Sequence, residues 1–161
     1  MNGYIGDDPA ALEAMNAEIA HRGPDFSGHY KHGRVHLGHL LLSIRESAEL
    51  SQQPYQKKGS PWVLVFNGQI YNTRSLAQVH HIPFSDLDTA MLYDLIEKKG
   101  WDFVQHVHGM FAIALYNEKE GMLRLYRDTA GQKPLYFTTT LPFAFSSELS
   151  PLVKLISSRT I

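Results

Sequence analysis

Trp62-Val63-Leu64-Val65-Phe66-Asn67-Gly68-Gln69-Ile70-Tyr71-Asn72 is the stretch on which the reading of the fold turns. Five apolar residues in succession, aromatic or β-branched at four positions, predict a buried strand over 62–66. Asn67-Gly68 is a strong hairpin-turn signal, and residues 69–72 continue beyond it. Toward the C-terminus the pattern stays strand-like, with strands predicted at 110–116, 122–127, 134–138 and 143–146 between Gly, Pro and Asn signals. Phe111, Ile113 and Leu115 alternate with Ala112, Ala114 and Tyr116, so this strand is expected to be covered on both faces. Between the two strand regions, Ser85 and Asp88 have capping-box spacing. The helix they open carries Leu87, Met91 and Leu95 on one face and ends at Gly100, with a shorter helix over 102–107.

Toward the N-terminus, residues 2–5 can form a short strand. Asp8 offers an N-cap and Pro9 a first-turn residue, followed by Leu12, Met15 and Ile19 at helical spacing. Gly23-Pro24 stops this helix near His21. Strands at 26–30 and 35–40 follow, with His32-Gly33 turning between them. Central helices flanked by antiparallel strands point to an α+β layered sandwich.

The 161 residues suit one domain with a core, and no repeat or linker interrupts them, so a single domain over 1–161 is expected. Hydrophobic residues make up 43% and charged residues 19%, an ordinary globular balance. A net charge of -1 gives no reason to expect nucleic acid or an anionic membrane as partner. No apolar run approaches the roughly 18 residues of a transmembrane helix and no signal-peptide pattern opens the chain, so a cytoplasmic location is expected. Cysteine is absent. Disulfides, thiolate metal sites and a cysteine nucleophile are thereby excluded.

Five segments in order carry a resemblance: His21-Arg22-Gly23-Pro24-Asp25, Leu42-Ser43-Ile44, residues 66–72, Gly109-Met110-Phe111-Ala112, and Arg127-Asp128 with Gly131, Lys133, Pro134, Leu135 and Tyr136. Ser147-Glu148 completes the set. The chain resembles the class II glutamine amidotransferases, which are N-terminal-nucleophile hydrolases, and in particular the glutaminase domain of asparagine synthetase B. The resemblance implies a four-layer αββα sandwich of two mainly antiparallel sheets, here trimmed at its C-terminal end. In that family an N-terminal cysteine attacks the glutamine side-chain amide and its own α-amine is the base. An Asn side chain and a Gly N–H hold the oxyanion. An arginine forks onto the substrate carboxylate, and acidic residues receive its ammonium.

Carried over residue by residue, Asn67 and Gly68 match the oxyanion pair and Asp86 matches an ammonium-binding aspartate. Three positions depart. Asn2 stands where the family has cysteine after the initiator Met. Leu41, in His39-Leu40-Leu41-Leu42-Ser43, stands where it has arginine. Gln69 stands where it has glutamate after Asn-Gly. An amide has no ionisable nucleophile. Met1 is expected to stay on ahead of a residue as large as Asn2, which blocks the α-amine base. Leu41 offers no donor to a carboxylate, a loss of about 1.5–3 kcal/mol or about 10- to 150-fold in affinity. Arg45 stands about 13 Å farther along a strand and cannot take over. Gln69 keeps an oxygen but loses the charge. No synthetase half is expected either, since these residues contain neither a Ser-Gly-Gly-x-Asp pyrophosphate loop nor a Walker-type run.

Plainer readings stand beside these. Asn67-Gly68 reads equally as a simple hairpin turn. Arg22 and Asp25 read as loop braces, and Arg127-Asp128 as a structural pair. Asp86 reads as a first-turn acid favoured by a helix dipole. Among nine histidines, His29, His32, His36 and His39 lack metal-site spacing, so no metal and no cofactor is expected. The aromatic stretch 137–145 reads as core. The expected function is a catalytically degenerate pseudo-glutaminase acting through an asparagine-synthetase-like ligase, with self-association through a sheet edge as the other partner expectation. The alternatives are a small-molecule module with a retuned glutamine pocket, or a working glutamine hydrolase with an unusual or engineered nucleophile position.

Overall fold

The computed structural model describes residues 1–42 and 52–158. Ser43, Ile44 and Arg45, which the sequence reading used, lie outside the described residues. The chain divides into two compact units: Met1–Pro54 with Pro134–Ile161, and Tyr55–Lys133.

The first unit is a five-stranded antiparallel sheet in the order β2-β3-β1-β8-β7. Its strands are β1 (Asn2–Ile5), β2 (Phe26–His32), β3 (Val35–Leu41), β7 (Tyr136–Phe137) and β8 (Phe143–Ser146). Helices α1 (Ala10–Glu18) and α4 (Ser150–Ser157) pack on it. Asp8 caps α1 as expected, its carboxylate accepting the Ala10 N–H at 3.0 Å. The β2–β3 hairpin closes through Gly33-Arg34, where Gly33 takes φ +56°, a conformation that glycine adopts freely. Tyr4, Ala11, Met15, Ala144, Leu152 and Leu155 form the core between the helices and the sheet.

The second unit is a three-stranded antiparallel sheet, β4-β5-β6, with β4 (Trp62–Ile70), β5 (Gly109–Asn117) and β6 (Met122–Arg127). Helices α2 (Thr73–His80) and α3 (Asp88–Lys99) and a 3₁₀ segment, Gly100–His106, accompany it. Leu64, Phe66, Phe111 and Ile113 on one sheet face pack with Met91 and Leu95 of α3. As predicted from its double apolar alternation, β5 is buried from Phe111 through Asn117. The architecture is therefore α+β, with two antiparallel sheets and four α-helices among the described residues.

Three readings are corrected. Asn67-Gly68 is not a turn: β4 runs straight through it, with Asn67 opposite Ala112 and Gly68 opposite Phe111. The glycine serves close approach, because a Cβ there would lie 2.2 Å from the Met110 carbonyl oxygen. The capping box does not form. Helix α3 begins at Asp88, Ser85 Oγ accepts the Leu87 N–H at 3.1 Å, and the Asp88 carboxylate reaches across to the Ile70 N–H at 2.9 Å. The stretch 137–145 is core only in part, since Phe145 is fully buried but Phe137, on the edge strand β7, is 57% exposed. Helix α2 went unread because it is short and hides only Leu76 and His80.

Candidate functional site

In the first unit, Asn2 sits between β3 and β8, opposite Gly38 and Ser146. Its side chain is fully buried. Asn2 Nδ2 donates to Asn16 Oδ1 of α1 at 2.9 Å, while its Oδ1 is enclosed without a hydrogen-bond partner among the described residues. Gly38 makes room for this contact, because a Cβ there would lie 2.8 Å from the Asn16 amide. Strand neighbours that face each other share a side of the sheet, so Asn2, Tyr4, His36 and Gly38 all face the helices. The 6.0 Å ring contact between Tyr4 and His36 agrees. Leu41, three residues from Gly38 on β3, is buried on the opposite face. Asn2 and Leu41 thus point away from each other.

The chain just ahead of Asn2 is held by Ser147. The Ser147 N–H donates to the Met1 carbonyl at 3.0 Å, and the Met1 amine donates to Ser147 Oγ at 3.1 Å. Burial above all, then the nearby Arg22 charge, pushes the amine pKa down to about 5 against the opposing pull of Glu148. Glu148 Oε1 receives His21 Nε2 at 3.0 Å and Arg22 Nη1 at 3.1 Å. Burial raises the Glu148 carboxyl, but the hydrogen bonds from Arg22 and His21 outweigh it and hold the pKa below the usual carboxylate value. Arg22 is thus a brace, as read. The Asp25 N–H donates to the Leu41 carbonyl at 3.1 Å, which ties the same loop to the end of β3.

In the second unit, Asn67 and Gln69 stand on the face of β4 opposite Phe66 and Ile70. Neither amide side chain makes a hydrogen bond among the described residues. Phe111 commits its N–H to the Asp128 carboxylate at 3.2 Å and its carbonyl to the Asp128 N–H at 2.9 Å. Gly68, opposite Phe111, therefore faces a non-hydrogen-bonded pairing and turns its N–H to the outer edge of β4. Its neighbours two residues on either side along that edge include Ile70, whose N–H is taken by Asp88. Asn67 and Gly68 so keep two donors of the kind an oxyanion requires. Asp86 is exposed in a bend ahead of α3, outside its first turn, so the helix-dipole account of it is withdrawn.

Asp128 organises the loop after β6. Its carboxylate also accepts the N–H groups of Gln132 at 2.9 Å and Lys133 at 3.1 Å, and Arg127 donates to the carbonyls of Lys133 and Gly131. Burial works against its charge, but these three N–H donors hold its pKa below the ordinary aspartate value. The pair is structural. Among the described residues no group of three His, Asp or Glu side chains is placed to hold a metal ion. The sequence reading missed Asn16, a polar residue on a helix with no distinguishing signal. Gly38 was the available clue, since glycine inside an apolar strand marks a close approach.

The glutamine amidotransferase domain family matches residues 2–160. The chain belongs to that family. It is 30% identical over 162 residues to a putative glutamine-hydrolysing asparagine synthetase 2 of Methanocaldococcus jannaschii, covering 88% of this chain and 32% of that protein. It is 34% identical over 129 residues to the glutamine-hydrolysing asparagine synthetase B of Escherichia coli, covering 78% of this chain and 23% of that one. The chain thus spans about a third or less of the length of these relatives. A glutamine phosphoribosylpyrophosphate amidotransferase of B. subtilis, solved with ADP and GMP, superposes with a TM-score of 0.74 at 17% identity, over 96% of this chain and 43% of that one. That likeness extends the N-terminal-nucleophile fold to this glutamine amidotransferase domain.

Proposed function

We propose that this glutamine amidotransferase domain has lost glutamine hydrolysis and acts by binding a partner, a ligase of the asparagine-synthetase type. The observation that carries this reading is the state of Asn2. The position that supplies the nucleophile in the family holds an amide, fully buried, hydrogen-bonded to Asn16 and turned to the helix side of its sheet. An amide cannot be deprotonated to attack a second amide. Leu41 and Gln69 remove the charged groups that would clamp the two ends of glutamine, so restoring one group alone does not restore binding.

The test is ammonia release from glutamine by the wild-type chain beside the triple variant Asn2→Cys, Leu41→Arg, Gln69→Glu. No release from wild type is expected, and release by wild type would end the proposal. Co-purification from the native source should recover a ligase with the chain. A solitary chain under all conditions removes the partner half of the reading. Asn67 and the outward Gly68 N–H favour one secondary reading, a binding pocket for a neutral or amide-bearing ligand. In that case stabilisation should rise with ligand concentration as RT ln(1 + [L]/Kd).

A further inference from the structure

Sheet β4-β5-β6 has two outer edges, and the chain covers them unequally. The β4 edge is partly occupied. Tyr55 bridges Leu64, with the Tyr55 N–H on the Leu64 carbonyl at 2.8 Å and the Leu64 N–H on the Tyr55 carbonyl at 2.9 Å, and Asp88 takes the Ile70 N–H. The β6 edge has no such cover. Among the described residues, no backbone hydrogen bond reaches Met122–Arg127 from outside the β5 ladder.

The pairing with β5 fixes which backbone groups of β6 face out. The Asp128 N–H donates to the Phe111 carbonyl at 2.9 Å, so these two residues form a hydrogen-bonded pair. In an antiparallel ladder such pairs alternate with non-hydrogen-bonded ones. Met122, Arg124 and Tyr126 therefore direct their N–H and carbonyl groups to Asn117, Leu115 and Ile113. Leu123, Leu125 and Arg127 turn theirs to the open edge, which an extended strand can complete.

The β6 sequence is complementary to its own copy. In an antiparallel pair of two β6 strands, a two-fold axis at Leu125 sets Leu125 against Leu125 and Leu123 against Arg127, so every outward group finds a partner. Arg124 then lies opposite Tyr126 on both sides of the axis, a cation facing an aromatic ring. Every other centre sets at least one outward residue opposite a residue beyond the strand, and the one at Arg124 also puts two arginines face to face. With the axis at Leu125 the two Arg124 residues meet only diagonally, about 7–8 Å apart. Both arginines are restrained within the fold: the Arg124 guanidinium lies 4.4 Å from the Trp101 ring centroid, and Arg127 donates to the carbonyls of Lys133 and Gly131.

We infer that the β6 edge is an interface between two copies of this chain, joined through antiparallel β6 strands about an axis at Leu125 into one continuous sheet. This contact is distinct from any ligase partner and stands whether or not the chain hydrolyses glutamine.

A strand edge buries little surface, so the dimer belongs to the weak, concentration-dependent class. Sedimentation velocity of the full chain from micromolar to millimolar concentration should show a monomer passing into a dimer. Leu125→Lys sets two ammonium groups against each other on the axis and should weaken association roughly fivefold or more. Its far-UV spectrum and melting temperature check that the fold is kept. Because the chain has no cysteine, a spin label on Met122→Cys, an exposed position, reports the register independently of that variant. Met122 lies three residues from the axis, so the two labelled Cα atoms should stand about 20 Å apart. A chain monomeric at every concentration, a dimer that folded Leu125→Lys leaves intact, or a label separation far from that value would each overturn the proposal.

Discussion

Asn2 and Asn16 form a buried pair whose energetics differ from those of a surface contact. One Asn2 nitrogen–hydrogen is satisfied by Asn16, and its oxygen lies enclosed. Removing the acceptor by Asn16→Ala leaves the Asn2 amide buried with neither end paired. That should cost about 1–3 kcal/mol in urea denaturation. Asn2→Ala together with Asn16→Ala should cost clearly less than the sum of the single changes, because the second removes the stranded group. Additive losses would mean that the two side chains are not coupled. The proposed loss of hydrolysis rests on this contact, which holds the Asn2 side chain on the helix side of its sheet.

At the scale of elements, the pairing of β4 with β5 decides how Asn67 and Gly68 are used. The approach of the two strands is so close at Gly68 that an added methyl meets backbone, Met110 O at 2.2 Å and Phe111 Cα at 2.8 Å, which cannot rotate away. Gly68→Ala should therefore destabilise the chain by about 1–3 kcal/mol, the range for overpacking, in thermal or chemical denaturation. A loss under about 0.5 kcal/mol would show that the strands can part. The Phe111–Asp128 bonds fix which groups of β5 face β6 and hence that Gly68 points outward. A loop acid on one strand thus sets the direction of a donor two strands away.

For the molecule as a whole, stability should fall on mild acidification. His36, in the first unit, is buried, and burial first, then the charges of Lys31 and His29, lowers its pKa from 6.5. His80, in the second, is lowered by burial first and then by His106 and the neighbouring lysines, with its ring 4.4 Å from that of His106. For a base whose folded pKa lies below the unfolded value, the unfolded chain binds more protons between the two values. The Met1 amine, lowered from 8.0 to about 5, makes the decline begin near pH 8, and the two histidines add to it as the pH drops through 6.5 toward their lower folded pKa values. Asp128 and Glu148, with folded pKa values below 3.8 and 4.5, add a second decline at lower pH. Melting temperatures across pH 8 to 5 should show the first decline, and His80→Gln should flatten it. A melting temperature that rises between pH 7 and pH 5.5 would contradict this assignment.

Residue order alone determined the family, most of the strands and α1 with its Asp8 cap, because these rest on local periodicity, turn chemistry and short motifs. It also determined that no cysteine is present and that Asn2, Leu41 and Gln69 replace reactive or charged groups. Tertiary structure decided what adjacency in sequence cannot express. Asn67-Gly68 is statistically a turn, and only the facing strand β5 made it part of a continuous one. Ser85 and Asp88 have the spacing of a cap, but the Ile70 N–H is the partner Asp88 takes. Asn16 gained its role only when α1 was laid over Gly38. In each case the competing interaction comes from a segment distant in the chain, and a local propensity of a few tenths to about 1 kcal/mol yields to a buried contact worth more.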